Sequence, residues 1–434
     1  MIEQTAAIAL GLIFVLSLAG VHIALSFLIG STVGLYLLFQ DWWMTLGLLQ
    51  QTAFDGIRDY NLMVIPLFAV MGLLIARSGA ATDLFSAANR TFSRVPARLA
   101  VATVAGNALF AAVTGVGVAA AATFSHIAYP SMQAAGYKRS FAAGCIAGSS
   151  VLGLLIPPSV FMIVWAILTE QSIGRLFAAG VLPGIALAVL FGLYCVVRAI
   201  RNPEMVSSET AVADAAATRP DPVGIVGVLL IILVTLGGIW GGFFTPTEGS
   251  AVGLAGALLL ALAKGMSRTA IVEATREAGM VVTPIMLLLL GAAMYSKLLA
   301  LAGIPQLVGM LFETMELGPT ETILVMAAIW LVLGCFVDSI SIMLLTVPLF
   351  WPIAQAMGID PMVFAIVGIL VIEAGVLTPP FGIGAFVVLA AIPDKELRLS
   401  EVFRGLAPYW TMILAIAALV YVFPALATLV PSLL

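Results

Sequence analysis

The sequence predicts an all-α polytopic membrane protein in which two inverted repeats each contain a re-entrant hairpin and a proline-broken helix. Hydrophobic residues make up 62% of the 434 residues and charged residues only 9%, whereas soluble domains carry about 25% charged residues. Many apolar runs reach the roughly 20 residues that a helix needs to cross a bilayer core. Two of these runs, LGLLIPPSVF (152–161) and AGVLTPPFGI (374–383), carry a Pro-Pro pair at equivalent places.

The composition also excludes several classes of function. There is no basic stripe and the net charge is −4, so nucleic-acid binding has no support. The three cysteines are spread through apolar segments, as expected of small core residues. With only two histidines, His22 and His126, neither of which has an evident carboxylate or cysteine partner, we expect neither an enzyme nor a transition-metal site.

The distribution of charge predicts the topology. Five basic groups are assigned to the cytoplasmic side by the positive-inside rule. The stretches at 41–59, 170, 243–248 and 313–321 are acidic or uncharged and are assigned to the outside. Residues 5–39 contain no Asp, Glu, Lys or Arg and form either one tilted helix or two short ones; in total we expect nine or ten crossing helices. The five basic groups are Arg77, Arg90, Arg94 and Arg98; Lys138 and Arg139; Arg198, Arg201 and Arg219; Lys264, Arg268 and Arg276; and Lys395, Arg398 and Arg404.

Two hairpins are predicted from uncharged runs whose flanks have the same sign. Residues 99–137 have basic flanks, and their first arm, 99–113, would span about 22 Å, which is short of the roughly 30 Å core. We therefore favour a hairpin with TGVG (114–117) at its tip over two full crossings. Residues 322–359 have acidic flanks, Glu321 and Asp360, and one internal charge, Asp338. We predict a hairpin over 321–359 that enters from outside with CFVDSIS (335–341) at the tip.

An internal repeat relates these features at a constant offset of 222 residues. The offset aligns the two Pro-Pro pairs and also Tyr129-Pro130 with Trp351-Pro352. Because the charged flanks are opposite in sign, the copies are inverted, which is the sequence signature of a secondary transporter. We assign residues 1–200 to the first repeat, with its broken helix at 138–169. Residues 201–222 form a cytoplasmic linker, and 223–434 form the second repeat, with its broken helix at 361–393.

The proline pairs predict a binding site. A proline inside a helix removes one hydrogen bond and clashes with the preceding turn, at about 3 kcal/mol or more. Unwound backbone at membrane depth is tolerated only where protein buries it or where it lines a polar cavity. Free carbonyls and C-terminal half-helix ends suit a cation, whereas N-terminal half-helix ends suit an anion.

Six motifs along the sequence resemble those of a known transporter family. AVTGVGVAAAATFSHIAYPSMQAAGY, LGLLIPPS, SIGRLFAAGVLPG, FFTPTEGSAVG, CFVDSISIMLLTVPL and GVLTPPFGIGAFVV together resemble the large permease subunit of tripartite ATP-independent periplasmic (TRAP) transporters, of the dicarboxylate type. The resemblance covers essentially the whole chain. It implies an inner-membrane, multi-pass elevator carrier that uses sodium to import a small carboxylate, with no other cofactor.

The resemblance also implies partners and site residues. The expected partners are membrane lipid, a periplasmic solute-binding protein and a small four-helix membrane subunit, which we expect to be a separate chain. Family members often carry serines at the first hairpin tip, whereas here Val116 offers only backbone, so ligation there depends on Thr114 and carbonyls. The candidate sodium ligands are Thr114, Gly115, Gly117, Ser149, Pro157, Asp338, Ser339, Ser341 and Thr378, and the candidate substrate-binding residues are Ser150, Pro158, Ser159, Pro380 and Gly382.

Purely structural roles remain open for several of these residues. Asp338 is a candidate ligand because a carboxylate near the midplane is costly, but it could equally cap the second hairpin arm. Ser149 and Ser150 could be small helix-packing residues. Glu373 either contributes to the second site or pairs inside the protein. For the whole chain, the alternative function is a stand-alone sodium/divalent-anion symporter that needs no binding protein.

Overall fold

The fold is all-α, as predicted. The computed structural model describes residues 2–115, 117–206, 220–380 and 382–434, and in these ranges the only β-pairing is an isolated bridge between Tyr137 and Val206. The helices of the first half are α1 (Ile2–Leu18), α2 (Ile23–Phe39), α3 (Trp42–Arg58), α4 (Val64–Arg77), α5 (Ala80–Thr91), α6 (Arg98–Thr114), α7 (Gly117–Ala134), α8 (Arg139–Ser150), α9 (Leu152–Leu155), α10 (Val160–Leu168) and α11 (Ile173–Arg201).

The second half continues the series after the linker. Its helices are α12 (Pro222–Trp240), α13 (Pro246–Ala263), α14 (Arg268–Leu301), α15 (Ile304–Thr314), α16 (Pro319–Gly334), α17 (Ser339–Ala356), α18 (Pro361–Leu377), α19 (Ile383–Ala391), α20 (Leu399–Val422) and α21 (Ala425–Thr428). Most of the predicted linker, residues 207–219, lies outside the described residues, as does Val116.

Helix starts follow local capping chemistry. The Asp41 carboxylate accepts the N–H groups of the first turn of α3, and Asp360 does the same for α18. At α13, Thr245 and Glu248 form a reciprocal capping box. Each cap satisfies backbone donors that the helix itself leaves without partners. The short polar motifs between apolar runs therefore fix where helices begin.

The N-terminal segment forms two helices, α1 and α2, which settles that open alternative. Seven of the described helices are long and apolar enough to cross a membrane, or eight if the bent pair 139–155 and 160–168 is one span. Shorter apolar helices accompany them, such as α2, α6, α16 and α18. The total of nine or ten crossings stays a prediction.

Helix boundaries follow the 222-residue offset closely. Moving α7 by 222 residues gives 339–356, the bounds of α17, and moving 139–155 gives 361–377, the bounds of α18. The contacts between the two halves follow the same offset. α7 contacts α19, and their counterparts at the offset, α17 and α10, also contact each other. Likewise α2 contacts α14, and their counterparts α13 and α4 contact each other. This pattern is what two-fold related repeats would produce; their inverted orientation stays a prediction.

Ion pairs connect members of the basic groups to other elements of the fold. They join Arg77 with Glu273 and Glu277, Lys138 with Glu204, Arg139 with Asp394, and Lys264 with Asp83 and Asp221. Asp59, Glu170 and Pro246, all from stretches assigned to the outside, line a common recess. The assignment of these groups to opposite sides of the membrane stays a prediction.

Candidate functional site

The first hairpin tip lies on the first proline break. α6 ends at Thr114, and Gly115 takes a left-handed conformation with φ +61°. The Gly115 carbonyl accepts a hydrogen bond of 3.2 Å from the amide of Val160, the first residue of α10. A Cβ atom on Gly115 would lie 2.6 Å from the Pro158 carbonyl oxygen. Only glycine therefore fits, because both the backbone conformation and the close approach exclude a side chain.

The helices that flank this first contact, α6 and α8, carry neutral oxygen atoms. The Ser149 hydroxyl accepts a hydrogen bond of 2.7 Å from the Asn107 amide and donates to the Cys145 carbonyl. The Asn107 Oδ1 atom is buried and has no hydrogen-bond partner in the described structure. Thr114 donates to the Phe110 carbonyl. Asn107 was missed by sequence reasoning, although it is the only amide side chain in the uncharged first arm.

The second hairpin tip meets the second proline break in a similar way. A Cβ atom on Gly334 would lie 2.6 Å from the backbone of Gly375, so the end of α16 packs directly on α18. The Thr378 hydroxyl lies 3.1 Å from Cys335 Sγ and donates to the Gly375 carbonyl. The second tip thus contacts the residues just before its Pro-Pro pair, whereas Gly115 of the first tip contacts the second proline of its pair and the start of α10.

Asp338 is the N-cap of α17. Its Oδ1 atom accepts the Ser341 amide at 3.1 Å, which confirms the capping interpretation and leaves the ligand role as a prediction. Ser341 is buried beside it. Because the cap occupies one oxygen through one backbone amide, the carboxylate retains capacity for a further partner.

A cavity of about 170 Å³ lies where both hairpins and both broken helices converge. Its ionisable lining residues are Asp338 and Glu373, and the described lining contains no lysine or arginine. Glu373 is 3% exposed, its Oε1 atom has no hydrogen-bond partner among the described residues, and its carboxyl lies within reach of Ser339. The further lining residues are Gly117, Val118, Ala121, Ser150, Val151, Leu154, Phe161, Ser339, Ile340, Val376, Leu377, Ile383, Gly384 and Val387.

Helix ends of both polarities face this cavity. The first residues of α7, α17 and α19 line it, namely Gly117, Ser339 and Ile383, and these N-termini carry partial positive charge. The last residues of α8 and α18, Ser150 and Leu377, also line it, and C-termini carry partial negative charge. The cavity therefore offers positions for an anion and for cations side by side.

Not all predicted substrate-binding residues line this cavity. Ser150 does. Pro158 and Ser159 are buried in the first break, where Ser159 caps α10 by accepting the Met162 amide. Pro380 is exposed, and Gly382 packs against the Phe403 ring on α20. Among the sodium candidates, Gly117, Asp338 and Ser339 line the cavity, and Thr114, Gly115, Ser149, Pro157, Ser341 and Thr378 lie in the surrounding tips and breaks.

Comparison with known proteins gives consistent similarities. Residues 10–426 match the family model described as "Tripartite ATP-independent periplasmic transporter, DctM component". The chain is 32% identical to the C4-dicarboxylate TRAP transporter large permease protein DctM of Pseudomonas aeruginosa, over 87% of this chain and 88% of that protein. It is 31% identical to the ectoine/5-hydroxyectoine TRAP transporter large permease protein UehC of Ruegeria pomeroyi, over 95% of each chain.

A solved structure shares the fold. The YdaH transporter of Alcanivorax borkumensis superposes with a TM-score of 0.60 at 14% identity, over 88% of this chain and 89% of that chain. At this identity the likeness concerns the fold alone.

Proposed function

The chain belongs to the DctM component family of tripartite ATP-independent periplasmic transporters, and from that premise we propose that it is the large transmembrane subunit of a sodium-coupled importer of a small carboxylate. Members of the family are permease subunits of binding-protein-dependent secondary transporters of the inner membrane, and they are not enzymes. Sodium coupling and the carboxylate class go beyond family membership and are argued from the cavity.

The observation that carries the proposal is the convergence of two tips and two breaks on one cavity. Hard cations prefer oxygen ligands, and both tips and breaks offer side-chain oxygens. At the second these belong to half-buried Asp338 and Ser339 and to buried Thr378. At the first they belong to buried Thr114, Ser149 and Asn107, whose Oδ1 has no partner among the described residues. An unpaired buried oxygen is costly, and a bound sodium ion would remove that cost.

The carboxylate class follows from the electrostatics of the cavity once sodium is present. Three helix N-termini face the cavity, but two carboxyl side chains also line it and the described lining has no basic side chain. An anion would therefore be repelled unless cations bind first. We propose that sodium binds at both breaks, orders the tips and completes the pocket for a C4-dicarboxylate or related organic acid. Because relatives are named for substrates as different as C4-dicarboxylates and ectoine, selection is assigned largely to the binding protein.

Large permeases of this family work with a small membrane subunit and a periplasmic binding protein. We propose that both are separate chains here and that membrane lipid surrounds the complex. We further propose an elevator mechanism, in which the two hairpins and two broken helices move together past the remaining helices. Each unbalanced sodium ion would contribute about 2.3 kcal/mol per 100 mV of membrane potential.

The test is uptake into proteoliposomes that contain this chain and its small subunit, with the cognate binding protein outside. The probe is a radiolabelled C4-dicarboxylate. We expect uptake under an inward sodium gradient and little uptake under an equal potassium gradient. Equal uptake with both ions would contradict sodium coupling. Sodium-driven uptake that does not need the binding protein would instead favour the stand-alone sodium/divalent-anion symporter.

A further inference from the structure

A second recess, separate from the central cavity, is lined mainly by charged residues. It has a volume of about 580 Å³ and lies between the start of α8, the loop after α19 and the first turns of α20. Four basic side chains line it: Arg139, Lys395, Arg398 and Arg404. The acidic lining residues are Glu396 and Glu401, and Ser400 completes the lining, so the formal charge is +2. This volume is in the range of small-molecule sites, about 300–1,000 Å³.

Behind Arg139, one of the residues that line this basic recess, lies a buried, fully bonded carboxylate. The Asp394 side chain is 7% exposed and accepts hydrogen bonds from Tyr129 Oη at 2.9 Å, Arg139 Nε at 2.9 Å and Gln133 Nε2 at 3.2 Å. Burial raises the pKa of Asp394, but the Glu396 amide and these side chains lower the pKa by more, so the group stays ionised. Asp394 thereby fixes the position of Arg139 against α7 and the loop.

The charge that Arg139 carries is already neutralised, whereas the other three cations are free. Arg139 pairs with Asp394 and Glu396. Lys395, Arg398 and Arg404 have no ion pair within the described ranges, and all three are exposed. The Glu401 carboxylate, which accepts the backbone amide of Arg398 at 3.0 Å, offsets only one of these three charges. The recess therefore keeps a net positive charge, which a bound anion would balance.

We propose that this basic recess binds a phosphate-bearing anion, and that its source is the headgroup of an acidic phospholipid of the cytoplasmic leaflet. Arginine forks match phosphate oxygens in pairs. Basic recesses at the cytoplasmic ends of membrane helices are suited to acidic lipid headgroups, and the positive-inside rule assigns this end to the cytoplasm. The proposal is independent of the transported solute, because the recess does not share lining residues with the central cavity.

The experiment is native mass spectrometry of the full chain with its small subunit in detergent. Phosphatidylglycerol, zwitterionic phosphatidylcholine and inorganic phosphate are titrated separately. We expect phosphatidylglycerol to be retained in preference to phosphatidylcholine. The double variant Arg398→Gln/Arg404→Gln should weaken that retention by roughly tenfold or more, because each basic side chain near an acidic headgroup contributes to binding.

The matched control is Arg268→Gln/Arg276→Gln, which removes two exposed arginines that lie outside the recess and that the positive-inside rule assigns to the same side. It should retain the lipid as the unmodified chain does. Retention of inorganic phosphate that depends on Arg398 and Arg404, without lipid preference, would support the site but assign a soluble source. Equal retention of both lipids, or equal loss in both double variants, would overturn the proposal. Thermal unfolding without added ligand checks that each variant is folded.

Discussion

At the residue scale, the two tip-and-break regions occupy equivalent sequence positions but differ in chemistry. At the 222-residue offset, Asp338 corresponds to Val116 and Ser149 corresponds to Val371. The second break thus provides a carboxylate, whereas the first provides neutral oxygens. A carboxylate balances the charge of a bound cation directly, while neutral oxygens act only through their dipoles. We therefore expect the second break to be the more sensitive to a single substitution.

Replacing Asp338 by asparagine tests this expectation. Asparagine caps a helix about as well as aspartate, so α17 should keep its N-cap and the protein its thermal stability. Without the charge, sodium-dependent uptake in proteoliposomes should be abolished. The control is Asp360→Asn, which changes the same kind of cap at α18, where Asp360 accepts the Met362 and Val363 amides on the exposed side. Unaltered uptake by the Asp338 variant would defeat its assignment as a sodium ligand.

At the element scale, the sequence was sufficient to predict where the helices are interrupted but not the cavity lining; that α6–α7 and α16–α17 are re-entrant stays a prediction. Tips and breaks are local features, because paired prolines and short uncharged arms are incompatible with continuous crossing helices. Which side of an unwound segment faces a cavity is set by distant packing. Gly382, for example, is held against Phe403 of α20. Asn107 was missed for the same reason, because its importance depends on Ser149 lying opposite.

Because the first tip packs closely on the first break, we expect Gly115→Ala to have a large effect on stability and on uptake. A Cβ atom there would collide with the Pro158 carbonyl, and the left-handed backbone alone costs about 1–2 kcal/mol for a non-glycine residue. We expect a lower unfolding temperature and loss of uptake. Gly265→Ala is the matched control, since Gly265 also has a positive φ (+77°) but meets nothing within 4 Å.

Both variants place alanine in a left-handed backbone conformation, and they differ in whether the added methyl group meets a neighbouring atom. Gly265→Ala should therefore reduce stability modestly and leave uptake intact. If both variants transport equally well, the tip does not need to press against the break, and the proposed closure of the first site is wrong.

At the scale of the whole molecule, a largely buried ion cluster ties the two halves together. The Lys264 Nζ atom lies 2.6 Å from Asp83 on α5 and 2.8 Å from Asp221 at the end of the linker. The Asp221 amide also donates to Asp83. The cluster thus joins the exit of the linker, α13 and the helix that leads into the first hairpin.

Lys264→Met should destabilise the fold by about 3 kcal/mol, because it leaves a buried carboxylate without its partner. Lys138→Met, which removes the exposed pair with Glu204, should cost less than about 1 kcal/mol. Desolvation lowers the pKa of Lys264, but the bonds to Asp221 and Asp83 raise it by more, so the net shift is upward; the Lys264 bond lowers the pKa of Asp221.

The directions of these two pKa shifts define the pH range in which the ion cluster stabilises the fold. The contribution of Lys264 is complete below its unfolded pKa of 10.5 and is lost as pH rises through the higher folded value. The contribution of Asp221 is present above 3.8 and is lost as pH falls through the lower folded value. Between these two pH limits, the unfolding temperature of Lys264→Met should therefore lie below that of the unmodified chain. Outside the limits, the two unfolding temperatures should converge. A constant difference at every pH would point to packing instead of charge.

The elevator proposal makes the last prediction, because it requires the first hairpin to slide along α4. Ala69 and Gly72 of α4 line a small space together with Thr114 and Ala119 of the hairpin. In a background with the native cysteines replaced, Ala69→Cys/Ala119→Cys should be bridged by mercuric ion, and bridging should stop most sodium-driven uptake until a thiol removes the metal.

The control pair lies within the part that is proposed to move. It combines Ala100→Cys with the retained Cys145, whose Sγ atom lies 3.5 Å from the Ala100 carbonyl. If bridging the control leaves uptake intact while bridging the α4 pair stops it, motion between the two parts is required. Full uptake by the bridged α4 pair would mean that the carrier works by local opening of its tips alone.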